Sequence, residues 1–80
     1  NYPNPFNPST RIEYSIPSNS FVTVKVYNSL GQEVSTLVND MHAPGIYYVD
    51  FSAKNLPSGV YFYRISSDRF TSLKKMLLLK

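Results

Sequence analysis

His42 is the only histidine in the chain, and histidine is the side chain best suited to acid–base catalysis near neutral pH. A catalytic base needs a nucleophile and an orienting partner within hydrogen-bond distance, and a metal ion needs several ligands. His42 lies in the polar stretch NDMHAPG, which is typical of a turn. We therefore expect His42 to be a surface-loop residue rather than a base or a ligand.

The carboxylates form no catalytic pair in the sequence. A glycosidase needs two carboxyl groups that flank the scissile bond, whereas the carboxylates here are scattered over different predicted strands and turns. A chain of 80 residues also offers little room for a cleft, and it contains no cysteine for a disulfide or a thiolate metal site. We predict that the protein is not an enzyme and uses no cofactor. The carboxylates are Glu13, Glu33, Asp40, Asp50 and Asp68.

Four aromatic residues, Tyr47, Tyr48, Tyr61 and Phe62, are of the type that grips sugars or stacks on bases. Their period-two spacing, however, directs half of them inward, so core packing is the favoured interpretation. Carbohydrate binding remains a weaker alternative. Because the basic residues cluster away from the aromatic ones, we predict no nucleic-acid partner.

Three lysines, Lys74, Lys75 and Lys80, fall near the end of a chain whose formal net charge is +3. Such a cluster is compatible with binding to an anionic partner, but lysines on an edge strand also protect against aggregation. The neighbouring apolar run, residues 76–79, is far shorter than the roughly 20 residues that a membrane-spanning helix needs. We predict no membrane insertion.

The elements that would position these residues are predicted to be strands of a single small domain. Hydrophobic residues make up 42% of the chain and charged residues 16%, which is typical of a globular domain. Apolar and polar residues alternate with period two, and no helical period extends over a useful length. Predicted inward-facing sets are Ile12, Tyr14, Ile16; Val22, Val24, Val26; Tyr47, Val49, Phe51; and Tyr61, Tyr63, Ile65. A weaker strand is expected over residues 34–38.

The last run, RFTSLKKMLLLK, is apolar on both faces toward its end. This pattern indicates either a covered strand or a register change by a bulge near Lys74 and Lys75. Between the runs lie turn-forming stretches, and glycine precedes several strands where a positive φ costs it little. Six strands at about ten-residue spacing predict an antiparallel sandwich or a small barrel.

The opening stretch NYPNPFNPST can form neither a helix nor a central strand, because proline lacks a backbone donor. We expect it either to run along an edge, as a seventh short strand, or to cap one end of the sandwich. Two aromatic rings in it would cover the open end of the core. The residues concerned are Pro3, Pro5, Pro8, Tyr2 and Phe6.

The order of five motifs carries a family resemblance. NYPNPFNPSTRIEYSIP is followed by VTVKVYNSLGQEVSTLV, APGIYYVDF, LPSGVYFYRI and KKMLLLK. Over essentially all 80 residues the chain resembles the type A C-terminal sorting domain of the type IX secretion system of Bacteroidetes. It shares its opening motif with the immunoglobulin-like domain of flagellar hook-capping proteins. The resemblance implies an all-β, Ig-like antiparallel sandwich of about seven short strands.

The resemblance also implies a secretion signal without catalytic activity. Such domains follow an N-terminal cargo domain, are recognised by outer-membrane secretion machinery and are then typically cleaved by a sortase-like peptidase. The implied location is the periplasm in transit, then the cell surface or the extracellular space. Because the chain starts at Asn1 without a signal peptide, we expect residues 1–80 to be a single sorting domain from a larger secreted protein.

Nine residues match the motifs of the family and are the candidate recognition residues. The glycines are expected to allow tight turns before strands, the tyrosines to pack inward, and the lysines to carry charge that the machinery reads. An exposed last strand would also permit recognition by strand addition, or self-association as an extracellular structural or filament subunit, which is the alternative function. The nine residues are Pro44, Gly45, Tyr47, Gly59, Val60, Tyr61, Lys74, Lys75 and Lys80.

Overall fold

A computed structural model describes residues 9–78, and these residues form six strands and no helix. In chain order the strands are β1 (Ser9–Ile16), β2 (Ser20–Asn28), β3 (Glu33–His42), β4 (Gly45–Ser52), β5 (Gly59–Ser66) and β6 (Thr71–Leu78). The predicted seventh strand and the aromatic cover of the core lie outside the described residues, as does Lys80. Within residues 9–78 no helix could span a membrane.

The strands form two antiparallel sheets that pack as a sandwich. β1 pairs with β4, and the second sheet has the order β3-β2-β5-β6. With β1 equated to strand B, this arrangement matches strands B, C, C′, E, F and G of an immunoglobulin-like sandwich. The prediction of an all-β sandwich is therefore confirmed. The strand spacing also allowed a small barrel, but the described strands form two separate sheets.

The core lies between the two sheets and follows the predicted alternation. Strands β1, β2 and β5 each bury alternate residues because one face of each sheet is turned toward the other sheet. Burial of this apolar surface is the main term that stabilises the fold. The buried hydrophobic residues are Ile12, Tyr14, Ile16, Val22, Val24, Val26, Phe51, Ala53, Tyr61, Tyr63, Ile65, Met76 and Leu78.

Strand β3 is longer than predicted and corrects the assignment of His42. It continues to His42, which pairs with Ser20 of β2, so this histidine is a half-buried strand residue and the surface-loop prediction is wrong. Polar residues such as Asn39 misled the prediction. They are tolerated here because β3 is the outermost strand in the described sheet. The pairing of β2 with β3 also contains two register shifts, one between Val24 and Lys25 and one between Val26 and Tyr27.

Strand β6 lies at the opposite edge of the same sheet, as expected for the last strand. Its register with β5 is regular from Gly59↔Leu78 to Ser66↔Thr71, so the predicted bulge near Lys74 and Lys75 is absent from the described strand. A covered strand is also wrong, because Leu73 is 61% and Leu77 is 48% exposed. These leucines simply lie on the outer face of the sheet.

Candidate functional site

Two of the three motif glycines begin strands in backbone conformations that other residues rarely adopt. Gly45 has a φ of 156° and starts β4, and Gly59 has a φ of 153° and starts β5. The third, Gly31, lies in the turn between β2 and β3 with a φ of 83°. The expectation of positive φ before strands is confirmed, and the requirement for glycine comes from the backbone itself.

The motif tyrosines follow Gly45 and Gly59, and each donates a hydrogen bond to a carbonyl of the preceding loop. The Tyr47 hydroxyl donates to the Ala43 carbonyl at 2.6 Å, and the Tyr61 hydroxyl donates to the Pro57 carbonyl at 2.8 Å. In both cases the tyrosine lies two residues after the glycine and bonds a carbonyl two residues before it. The bond of Tyr61, at the start of the fifth strand, corresponds to the tyrosine corner of immunoglobulin-like sandwiches.

We call Gly45 with Tyr47, and Gly59 with Tyr61, the two glycine–tyrosine corners, and they are buried to different depths. Tyr61 is only 4% exposed and belongs to the core, so its predicted inward packing is confirmed. Tyr47 is half-buried and packs against the edge of the core. Pro44 is exposed in the turn, and Val60 lies on the outer face opposite Leu77.

Tyr47 belongs to an aromatic cluster that joins the two sheets. The His42 ring lies 4.2 Å from that of Tyr47, and Tyr14 stacks on both. His42 Nε2 lies 2.8 Å from the Tyr14 hydroxyl, so β1 and β3 are linked directly. Burial raises the pKa of the Tyr14 hydroxyl, and the neighbouring Tyr47 adds to this effect. The cluster therefore has a structural role at one end of the sandwich.

Within residues 9–78, no group of three or more His, Cys, Asp or Glu side chains is placed to hold a metal ion. The aromatic residues considered for sugar binding are also divided. Tyr61 is buried, whereas Tyr48 is exposed on the outer face of the two-stranded sheet and Phe62 lies on that of the other sheet. They do not form one platform.

Lys74 and Lys75 are both exposed, but they lie on opposite faces of β6. Lys74 shares the core-facing side with Met76 and Leu78, whereas Lys75 shares the outer face with the two exposed leucines of this strand. The two lysines therefore do not form one charged patch. Instead they place a positive charge on each side of the sheet edge.

The outer face of the four-stranded sheet carries a second group of polar contacts, which sequence reasoning missed. Arg64 donates to the Tyr27 hydroxyl at 2.7 Å and stacks over its ring. Beside them, Lys25 pairs with Glu33 at 3.4 Å. A hydrogen bond from the Thr36 hydroxyl, assisted by Lys25, lowers the pKa of Glu33. Residue spacing alone could not reveal the Arg64–Tyr27 and Lys25–Glu33 contacts, because each of them joins two different strands.

The turn between β2 and β3 is held by the side chain of Asn28. Its Oδ1 accepts from the backbone nitrogens of Leu30 and Gln32, and its Nδ2 donates to the Gln32 side chain. Two backbone hydrogen bonds close the same turn. Leu30 lies at its tip with 82% of its surface exposed. The stretch NSLGQ predicted the turn, but not the exposure of this leucine.

Comparison with known proteins places this fold in a family. The family model for the secretion system C-terminal sorting domain matches residues 1–79. The searches of curated proteins and of solved structures gave no significant match. Domains of this type are C-terminal sorting signals of the type IX secretion system, which implies an N-terminal cargo and export toward the cell surface or the extracellular space. With a match over nearly its full length, the chain belongs to the secretion system C-terminal sorting domain family.

Proposed function

We propose that residues 1–80 act as a single, non-catalytic sorting domain of a larger secreted protein and that the type IX machinery reads the folded sandwich. The support comes from the structural roles of the motif residues. Gly45 and Gly59 set backbone geometry, and Tyr47 and Tyr61 anchor loops, so these four residues act by maintaining the fold. The domain passes through the periplasm and is then removed by a sortase-like peptidase.

The observation that carries the mechanism is the outer edge of β6. Among residues 9–78 β6 pairs with β5 alone, so no described strand occupies the alternate backbone N–H and C=O groups along its other side. Strand addition to such an edge is a common mode of peptide recognition. We place the main contact with the secretion machinery there.

The two lysines make this contact selective. A charged residue on the core-facing side of an edge strand, such as Lys74, disfavours unselective pairing with other chains. A partner strand must therefore supply carboxylates near Lys74 and Lys75, one on each side of the sheet. The edge accepts an acidic partner strand and rejects a copy of itself.

A cargo fusion tests this proposal. The double variant Lys74→Glu/Lys75→Glu, fused to a periplasmic reporter in a bacterium with the type IX system, is expected to lower surface delivery about tenfold or more, because attraction becomes repulsion. The matched control is Lys54→Glu/Arg69→Glu, which makes the same change of net charge at two exposed basic residues in loops outside β6, one before β5 and one before β6. Normal delivery of the β6 variant would reject recognition through this edge.

Truncation of the same strand is a less specific test. Deleting residues 77–80 is expected to leave the reporter in the periplasm, but it also removes Leu78, whose side chain is buried in the core. A loss of delivery after truncation therefore combines a lost edge with a weakened fold. Thermal unfolding of the truncated domain separates the two, since a lost edge alone leaves the unfolding temperature nearly unchanged.

A further inference from the structure

We propose that Leu30 is a second contact point of the sorting domain, an apolar knob that enters a pocket on the secretion machinery. The inference rests on the proposed function, because it assigns a further surface to the same recognition event. We define the knob surface as Leu30, the Asn28 turn that carries it and the two hollows on either side of this turn.

The rigidity of the turn is the first argument. Three side-chain hydrogen bonds from Asn28 and two backbone bonds hold a turn of only a few residues. Gly31 supplies the positive φ that the turn requires. A contact residue on a pre-ordered turn loses little conformational entropy on binding, so its apolar surface contributes almost fully to affinity.

The exposure of Leu30 is the second argument. At 82% it is the most exposed large hydrophobic residue in the described part of the chain. A single exposed leucine is ordinary on a protein surface. A leucine held at the tip of a strongly hydrogen-bonded turn is different, because the order of the turn fixes its position relative to a partner.

The hollows beside the turn indicate the shape of the partner. One hollow, of about 290 Å³, is lined by Tyr27, Phe62, Arg64 and Leu73 together with the turn. The other, of about 270 Å³, lies between the turn and the loop before β5 and has no charged lining residue. No carboxylate lines either hollow, and Arg64, the one charged side chain that lines the first, also interacts with the nearby Glu33. The partner therefore has an apolar pocket that receives Leu30.

The knob surface is continuous with the β6 edge. Leu73 of β6 lines the first hollow, and Lys75 lies on the same outer face opposite Phe62. One acidic partner can thus cover the outer side of β6, the hollow with Arg64 and the Leu30 knob together. This continuity with the proposed β6 contact is the reason to assign the knob surface to the secretion machinery rather than to the cargo domain.

The test compares three leucine and isoleucine variants in the same cargo fusion. Leu30→Ser is expected to reduce surface delivery about tenfold or more, because the contact of one buried leucine side chain is lost. Leu30→Met keeps an apolar side chain and is expected to retain most of the delivery. The matched control is Ile46→Ser, since Ile46 is 63% exposed on the outer face of the other sheet. Thermal unfolding of each purified fusion is expected to remain near that of the wild type.

Each result has one meaning. Equal delivery of Leu30→Ser and wild type overturns the knob while the proposed function stands. If the wild-type fusion itself is not delivered, the proposed function fails and the knob falls with it. If Leu30→Ser lowers delivery and also speeds proteolysis at the junction between cargo and domain, the knob packs on the cargo, and the assignment to the machinery is wrong. If Leu30→Met fails as fully as Leu30→Ser, apolar contact is not the reason.

Discussion

The two glycine–tyrosine corners use the same local geometry at two depths of the sandwich. Both glycines have φ values near 155°, and both tyrosines bind the carbonyl four residues before them. Tyr61 lies inside the core, whereas Tyr47 lies at the end of the sandwich against His42 and Tyr14. The backbone requirement is therefore shared, while the contribution of each tyrosine to stability depends on what surrounds it.

The largest difference is expected when the rings are removed. Tyr61→Ala should lower the free energy of unfolding by about 3 to 5 kcal/mol, because it leaves a cavity in the core. Tyr47→Ala should cost about 1 to 2 kcal/mol, since part of its ring is already in contact with water. Urea unfolding at neutral pH measures both. Equal losses would mean that the Tyr47 corner is packed as tightly as the core.

Replacing the glycine should lower the free energy of unfolding by a similar amount at the two corners. Gly45→Ala and Gly59→Ala are each expected to cost about 1 to 3 kcal/mol, because alanine rarely adopts their φ values. A Cβ at Gly45 would meet only the Tyr47 ring, at an ordinary 3.8 Å, and one at Gly59 meets nothing within 4 Å. The two costs in urea unfolding should thus agree, and a large disagreement would indicate a steric rather than a backbone cause.

Removing only the hydroxyl groups isolates the hydrogen bonds. Tyr61→Phe is expected to cost about 1 kcal/mol, because the Pro57 carbonyl is then left without its partner in a partly buried position. Tyr47→Phe should cost only a few tenths of a kcal/mol, since water can reach the exposed Ala43 carbonyl. Thermal unfolding of the two variants provides the measurement. A larger loss for Tyr47→Phe would contradict this ranking.

The smallest expected effect is a loss of folding stability at alkaline pH caused by Tyr14, which stacks on Tyr47. The pKa of Tyr14 is raised above its ordinary value of 10.0 by burial and by Tyr47, so the folded state favours the neutral hydroxyl. Its contribution to stability is complete below pH 10 and is lost as the pH rises through the folded-state pKa. Tyr14→Phe should therefore make stability less dependent on pH above 10. An unchanged slope in unfolding at several alkaline pH values would contradict this.

The sequence predicted the fold well where one face of a strand is fully buried. Strands β1, β2 and β5 show a clean alternation because alternate residues, such as Val22 and Val24, are buried in the core. The ends of β3 and the regular register of β6 were missed. At the outer strands of a sheet, polar residues such as Asp40 and exposed leucines such as Leu73 obey weaker constraints, so local pattern is a poor guide there.

The candidate site was predictable only in part. The turn motifs indicated positive φ for Gly45 and Gly59, and the motif order indicated the family that the match over residues 1–79 shows. The hydrogen bonds of the corner tyrosines, the link from Tyr14 to His42 and the exposure of Leu30 were not predictable. The Tyr14–His42 link depends on strands distant in sequence coming together, whereas the corner bonds and the exposure of Leu30 depend on the detailed conformation of the loops, which residue spacing does not encode.

The order in which the strands pair determines how much of the chain is needed before the core can form. Among residues 9–78, β5 lies between β2 and β6, and β1 pairs with β4, so neither sheet is built from neighbours in the chain alone. A polypeptide that ends before Gly59 lacks the strand that joins its first half to its last, and it cannot close the core. If the machinery reads the folded sandwich, as proposed above, a chain that stops before Gly59 offers it no β6 edge and stays unexported.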